Sequence, residues 1–162
     1  VASDASQAVL CYALGAYKGC LCCLRAAIES LGKGLAAKDL PIVLQTKSVS
    51  DMFDLCASCA LLESEVARGA LADLRDLHSK LNLYVHTVTK EEMLHASSLG
   101  SFPSFNPIAS VAVEKHLLRG LRGLTYGLSA ALIGDFRRIH YRNRDVVLSG
   151  LVTFQRVSLN TV

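Results

Sequence analysis

Charge is scarce in this chain: Asp, Glu, Lys and Arg together make up 19% of its 162 residues, against 51% apolar residues and a mean hydropathy of +0.35. So little charge is unusual for a free-standing soluble domain, and it points to a partner that covers some apolar surface. Long uncharged runs are missing too. The most apolar stretch, residues 8–31, carries Lys18 and Arg25, and the run between Arg122 and Asp135 has 12 residues, where a spanning helix needs about 20. No transmembrane helix is expected, and a membrane contact would be peripheral. No basic n-region followed by a small-residue cleavage site opens the chain at Val1, so a processed product is expected, intracellular rather than secreted. The five histidines form no H-x-x-x-H or H-E-x-x-H pair, and no G-x-S-x-G, Walker or G-x-G-x-x-G pattern occurs. Zincin, serine hydrolase and phosphate-loop chemistries are therefore not indicated, and neither a metal nor a cofactor is expected.

What the chain does have is enough length for one domain, able to bury about 70% of its unfolded surface. All six cysteines, at 11, 20, 22, 23, 56 and 59, lie in the first 60 residues. The pairs "CLCC" and "CASC" have zinc-compatible spacing but sit in Leu/Ala-rich helical sequence rather than on glycine-rich knuckles, so cysteine as a small core hydrophobe is the better account. Charge is uneven along the chain. Residues 1–106 hold 9 Lys/Arg against 11 Asp/Glu, net −2, whereas residues 107–162 hold 8 against 3, net +5.

Leu21, Leu24, Ile28, Leu31 and Leu35 recur at three-to-four spacing and predict a helix over 17–37, ended by "GLAAKDLP". "PIVLQT" at 41–46 reads as a buried strand, and Ser48 or Ser50 as the cap of a helix with Met52, Leu55, Cys59 and Leu62 on one face. Helical spacing resumes through Val66, Ala70, Leu74, Leu77 and Leu81, and "LNLYVHTV" at 81–88 reads as a second strand. Two strands joined by helical sequence make a βαβ unit over 41–88 with a right-handed crossover. "TKEE" at 89–92 is a capping box, and "SSLGSFPSFNP" at 97–107 a linker ending in Asn106 as N-cap and Pro107 at the first helical position. A helical pattern then runs to about Tyr141 on Leu117, Leu121, Leu124, Leu128, Leu132 and Ile139. Gly120, Gly123, Gly127 and Gly134 interrupt it, so either the helix breaks or another backbone approaches closely; "GAYKG" at 15–19 offers a matching small-residue patch. The tail "VVLSGLVTFQRVSL" is ambiguous between strand and helix.

The succession "LQTKSVSDMFDL", "GALADLRDL" and "YVHTVTKEEMLHASS", with "SDAS" at 3–6 in place of a first catalytic strand, resembles a retrotransposon-type ribonuclease H domain over residues 1–100. The resemblance implies a helix-rich α/β core and a carboxylate cluster that would hold two divalent ions for phosphodiester hydrolysis. Matched one at a time, Asp4 falls on the first acid, Ala27 on the helix acid, Lys47 on the turn acid and His95 on the last. Three of the four acids are replaced, one by a cation that repels metal. The implied molecule is a pseudoenzyme. An all-helical bundle without this ancestry is the alternative.

The expected organisation is thus a degenerate ribonuclease H-like core at 1–100, a linker at 101–106, and a basic helix and tail at 107–162 packed on the same domain. "DFRRIHYRNR" at 135–144 is the densest basic stretch. With Lys115, Arg119, Arg122, Arg137, Arg138, His140, Arg142 and Arg144, and Tyr126 among them, it makes a candidate anion- or nucleic-acid-binding surface. An acidic protein, an anionic lipid surface or a merely solvated helix end would use the same residues. The expected function is a non-catalytic scaffold subunit of a larger assembly docking on other proteins, with a nucleic-acid-binding module of a ribonucleoprotein as the alternative.

Overall fold

The computed structural model describes residues 1–37, 41–46, 48–58, 65–86, 105–131 and 140–143. Five α-helices carry the fold: α1 (Ala2–Ala13), α2 (Tyr17–Ala36), α3 (Val49–Ala57), α4 (Glu65–His86) and α5 (Pro107–Ala131), with a 3-10 turn over Pro41–Gln45. Among the described residues there is no strand, and the fold is all-helical rather than α/β. The predicted strand at 41–46 is a 3-10 turn ending at Gln45, with Ile42 63% exposed. A run whose isoleucine faces water has no sheet to bury it. The predicted strand at 81–88 is, as far as His86, the end of α4, because burial at Ala67, Leu71, Leu74, Leu77 and Leu81 keeps a three-to-four period to the partly buried Tyr84. The βαβ unit and the sheet implied by the ribonuclease H resemblance therefore give way to a helical bundle. "SDAS" lies in the first turns of α1, so Asp4 sits on a helix rather than a strand.

The centre of the bundle is α2. Its predicted stripe, Leu21 to Leu35, is wholly buried, and α1, α3, α4 and α5 all pack on it. Gly15, at φ 72°, makes the turn that folds α1 back along α2, a conformation glycine adopts without penalty. Ser48 caps α3 by accepting from the Asp51 amide at 3.3 Å. Inside α3 the buried residues are Met52, Phe53 and Cys56, with Leu55 only half-buried, so the inward face is turned from the one expected; Cys59 and Leu62 lie outside the described residues.

At the start of α5, Asn106 Oδ1 accepts from the amides of Ile108 and Ala109 at 3.0 and 3.1 Å, with Pro107 as first helical residue. The helix does not break at Gly120, Gly123 or Gly127, and Gly134 lies outside the described residues. Gly120 receives Leu24 of α2, Gly127 receives Leu31 one heptad further along α2, and Gly123 receives Leu74 of α4. The equal seven-residue steps show that α2 and α5 run parallel here. Missing side chains on α5 thus admit leucine side chains, not a second backbone, and the Gly15–Gly19 patch is not their partner, since Gly19 faces Cys11.

Cys20 and Cys56 are core residues, while Cys11 and Cys23 are partly buried against the core. Burial, with Cys11 and Cys23 as neighbours, pushes the Cys20 thiol up to about 12. No group of three or more His, Cys, Asp or Glu among the described residues could hold a metal ion. No helix among them is long and apolar enough to cross a membrane.

Candidate functional site

The expected basic surface divides in the structure. Arg119, on α5, is spent on α4: Nε donates to both oxygens of Asp73 at 3.0 and 3.1 Å, while Nη2 bonds Asp76 at 2.7 Å and the Asp73 carbonyl at 3.3 Å. These bonds raise the guanidinium pKa further and hold α5 in register on α4. Lys80, and after it Arg119, keep the Asp76 carboxyl below the usual carboxylate range. Arg119 is therefore an interhelical tie rather than an open ligand site. Lys115 and Arg122 are exposed, and neither has a carboxylate within ion-pair distance among the described residues. Arg122 borders a groove of about 570 Å³ between Gly69 of α4 and Gly123 and Tyr126 of α5, with the Asp73–Arg119 pair in its wall.

Lys115 and Arg122 share their side of α5 with residues not expected at a surface. Ile108 is 79% exposed, Val111 53% and Leu118 55%. The inward stripe of α5, with Ala109, Val113, Leu117 and Leu124, occupies the opposite side. Ile108, Val111, Lys115, Leu118 and Arg122 follow one another at steps of three and four, so they form one row along the outer face. Sequence reading missed this row because it tracked only the leucine stripe. The signal lay in Ile108 and Val111, which fit no inward position. A smaller exposed apolar set, Val9, Leu10 and Leu14, flanks the end of α1, whose Tyr12 hydroxyl meets Ser110 Oγ of α5 at 3.0 Å.

At 140–143 the rings of His140 and Tyr141 lie 4.4 Å apart, and the Arg142 guanidinium stands 5.8 Å from the Tyr141 centroid, all three side chains being exposed. Arg137, Arg138 and Arg144 lie outside the described residues, as do Lys47 and His95 of the proposed degenerate acid positions. Ala27 is buried in α2, and Asp4 accepts from Ser30 Oγ at 3.5 Å. Of the four positions matched to a catalytic cluster, Asp4 and Ala27 alone lie among the described residues.

A polar link inside the bundle was also missed. His78 of α4 is buried, with its Nε2 2.8 Å from Glu29 Oε1 of α2 and 3.3 Å from Arg25 Nε, while Arg25 Nη2 holds the same carboxylate oxygen at 3.0 Å. Phe53 of α3 stands edge-on to the imidazole, with centroids 6.0 Å apart. Residues 49 apart in sequence carry no local signal of such a pairing. No protein-family model matches the chain, and no curated protein or solved structure does either.

Proposed function

We propose that this protein is a non-catalytic helical interaction module that docks on another protein of a larger assembly through the outer face of α5. The observation that carries the reading is the row of Ile108, Val111 and Leu118, each more than half exposed on a helix whose other side is already buried in the bundle. Large apolar side chains aligned at helical spacing on a surface are what helix-mediated recognition uses. The low charge content supports the same reading. A photo-crosslinking residue at Val111 is the direct test. In the native extract it should yield a discrete protein adduct that a probe at exposed Asp51 does not. Absence of any adduct at Val111 would refute docking by this face.

A second reading, nucleic-acid binding without cleavage, is favoured by the exposed His140–Tyr141–Arg142 array, where a cation and two rings lie together as in base-stacking surfaces. Phosphate contacts make affinity fall steeply with salt, whereas apolar docking does not. Binding of single-stranded RNA across a salt series, with Arg137, Arg138, Arg142 and Arg144 replaced by alanine in the comparison protein, separates the two. A steep slope that flattens in the variant supports nucleic acid, and no binding at low salt removes it.

A further inference from the structure

We infer that the outer face of α5 is one half of a heterotypic helix pair, and that its occupant is an amphipathic helix carrying Asp or Glu opposite Lys115 and Arg122. The inference rests on the docking reading above and specifies its partner. The row 108, 111, 115, 118, 122 advances by three, four, three and four residues, the alternation of the a and d positions of a heptad. Ile108, Lys115 and Arg122 then hold the a positions, and Val111 and Leu118 the d positions. β-branched residues and leucine supply apolar knobs, and two of the three a positions are cations.

Charge decides the occupant. In a parallel pair of two copies Lys115 would meet Lys115 and Arg122 would meet Arg122, burying like charges without compensation. In an antiparallel pair the cations would press on d-position valine or leucine, Val111 or Leu118, of the other copy, again without a counter-charge. Arg119 is already satisfied by Asp73 and Asp76, whereas Lys115 and Arg122 have no carboxylate at ion-pair distance among the described residues. A partner helix with acids at the facing positions neutralises both cations and buries Ile108, Val111 and Leu118. Glu114, exposed beside Lys115, flanks the seam and favours a Lys or Arg at the partner's edge, which sets the partner's register.

The test uses the full chain and two synthetic helical peptides of about three heptads. Both carry leucine at the core positions; one has Glu, the other Lys, at the two positions facing Lys115 and Arg122. By fluorescence anisotropy the Glu peptide should bind the wild type, and the Lys peptide should bind at least about tenfold more weakly. The double variant Lys115→Glu/Arg122→Glu should invert that preference, and Leu118→Asp should abolish binding of either peptide while far-UV circular dichroism stays unchanged. Equal affinity for both peptides overturns the acidic occupant. So does wild-type self-association in sedimentation velocity, or binding to vesicles of anionic phospholipid with neither peptide bound. If neither peptide binds while the Val111 probe still captures a protein, the partner specified here is wrong and the docking reading stands; if the probe also captures nothing, both fall.

Discussion

Replacing glycine by alanine at four helical sites gives opposite outcomes that depend only on what each missing side chain admits. In a helix interior the change itself contributes about 0.8–1 kcal/mol of stability. At Gly69 an added Cβ meets nothing within 4 Å, so Gly69→Ala should keep the whole gain. At Gly123 the Cβ would lie 2.5 Å from Leu74 Cδ2 and 2.8 Å from its Cγ, and Leu74 is 2% exposed with nowhere to swing. Overpacking of this kind costs about 1–3 kcal/mol. Set against the helical gain, Gly123→Ala should lose about 1 kcal/mol net, a fall in Tm of about 2–4 °C for a domain of this size. Gly120→Ala should behave alike, since three Leu24 carbons lie at 2.6–3.0 Å. Gly127→Ala should be close to neutral, because only the Leu31 Cδ2 tip, at 2.6 Å, must move. Urea unfolding followed at 222 nm measures all four. A double-mutant cycle adds a sharper check: Leu74→Ala should suppress the penalty at position 123, with a coupling of at least about 1 kcal/mol. If Gly123→Ala stabilises as much as Gly69→Ala and shows no coupling to Leu74, the seating of leucines in α5 is wrong.

Three further outcomes follow from the polar contacts. His78→Ala removes a hydrogen bond to a carboxylate and leaves Glu29 with Arg25 alone, so the urea midpoint should fall by the equivalent of about 2–3 kcal/mol. Asp76 is held below its ordinary value by Lys80 and Arg119, so its contribution is present above the unfolded carboxylate pKa near 4 and lost as pH falls through the lower folded value. The difference in urea midpoint between wild type and Arg119→Ala should accordingly shrink below about pH 4 and be constant from pH 5 to 7; a difference that grows on acidification contradicts the tie. For Cys20 the sign is reversed in pH: a thiol raised from 9.0 to about 12 favours the folded state fully below pH 9, and that advantage drains away between 9 and 12. Alkaline titration of stability should therefore be steeper for the wild type than for Cys20→Ala.

Local chemistry accounts for what could be read without the structure. The buried stripe of α2, the Ser48 cap and the Asn106–Pro107 start of α5 depend on residues within one or two turns of each other, and side-chain spacing and cap preference report on that range. Two short apolar runs misled for the same reason. "PIVLQ" and "LNLYVH" are each too short for their periodicity to separate strand from helix, and only the absence of a neighbouring strand among the described residues and the continued packing of α4 settle them. Charge content and the basic bias of residues 107–162 were legible as composition. Which cations stay open was not, because Arg119 and Lys115 differ only in the presence of Asp73 and Asp76 on a helix more than 40 residues away. The sequence by itself determined which segments coil and where several of them start. The tertiary structure alone decided that α5 turns its glycines, not Ile108, Val111 and Leu118, toward α2 and α4, because a helix with apolar residues on two sides has no inside until its neighbours supply one.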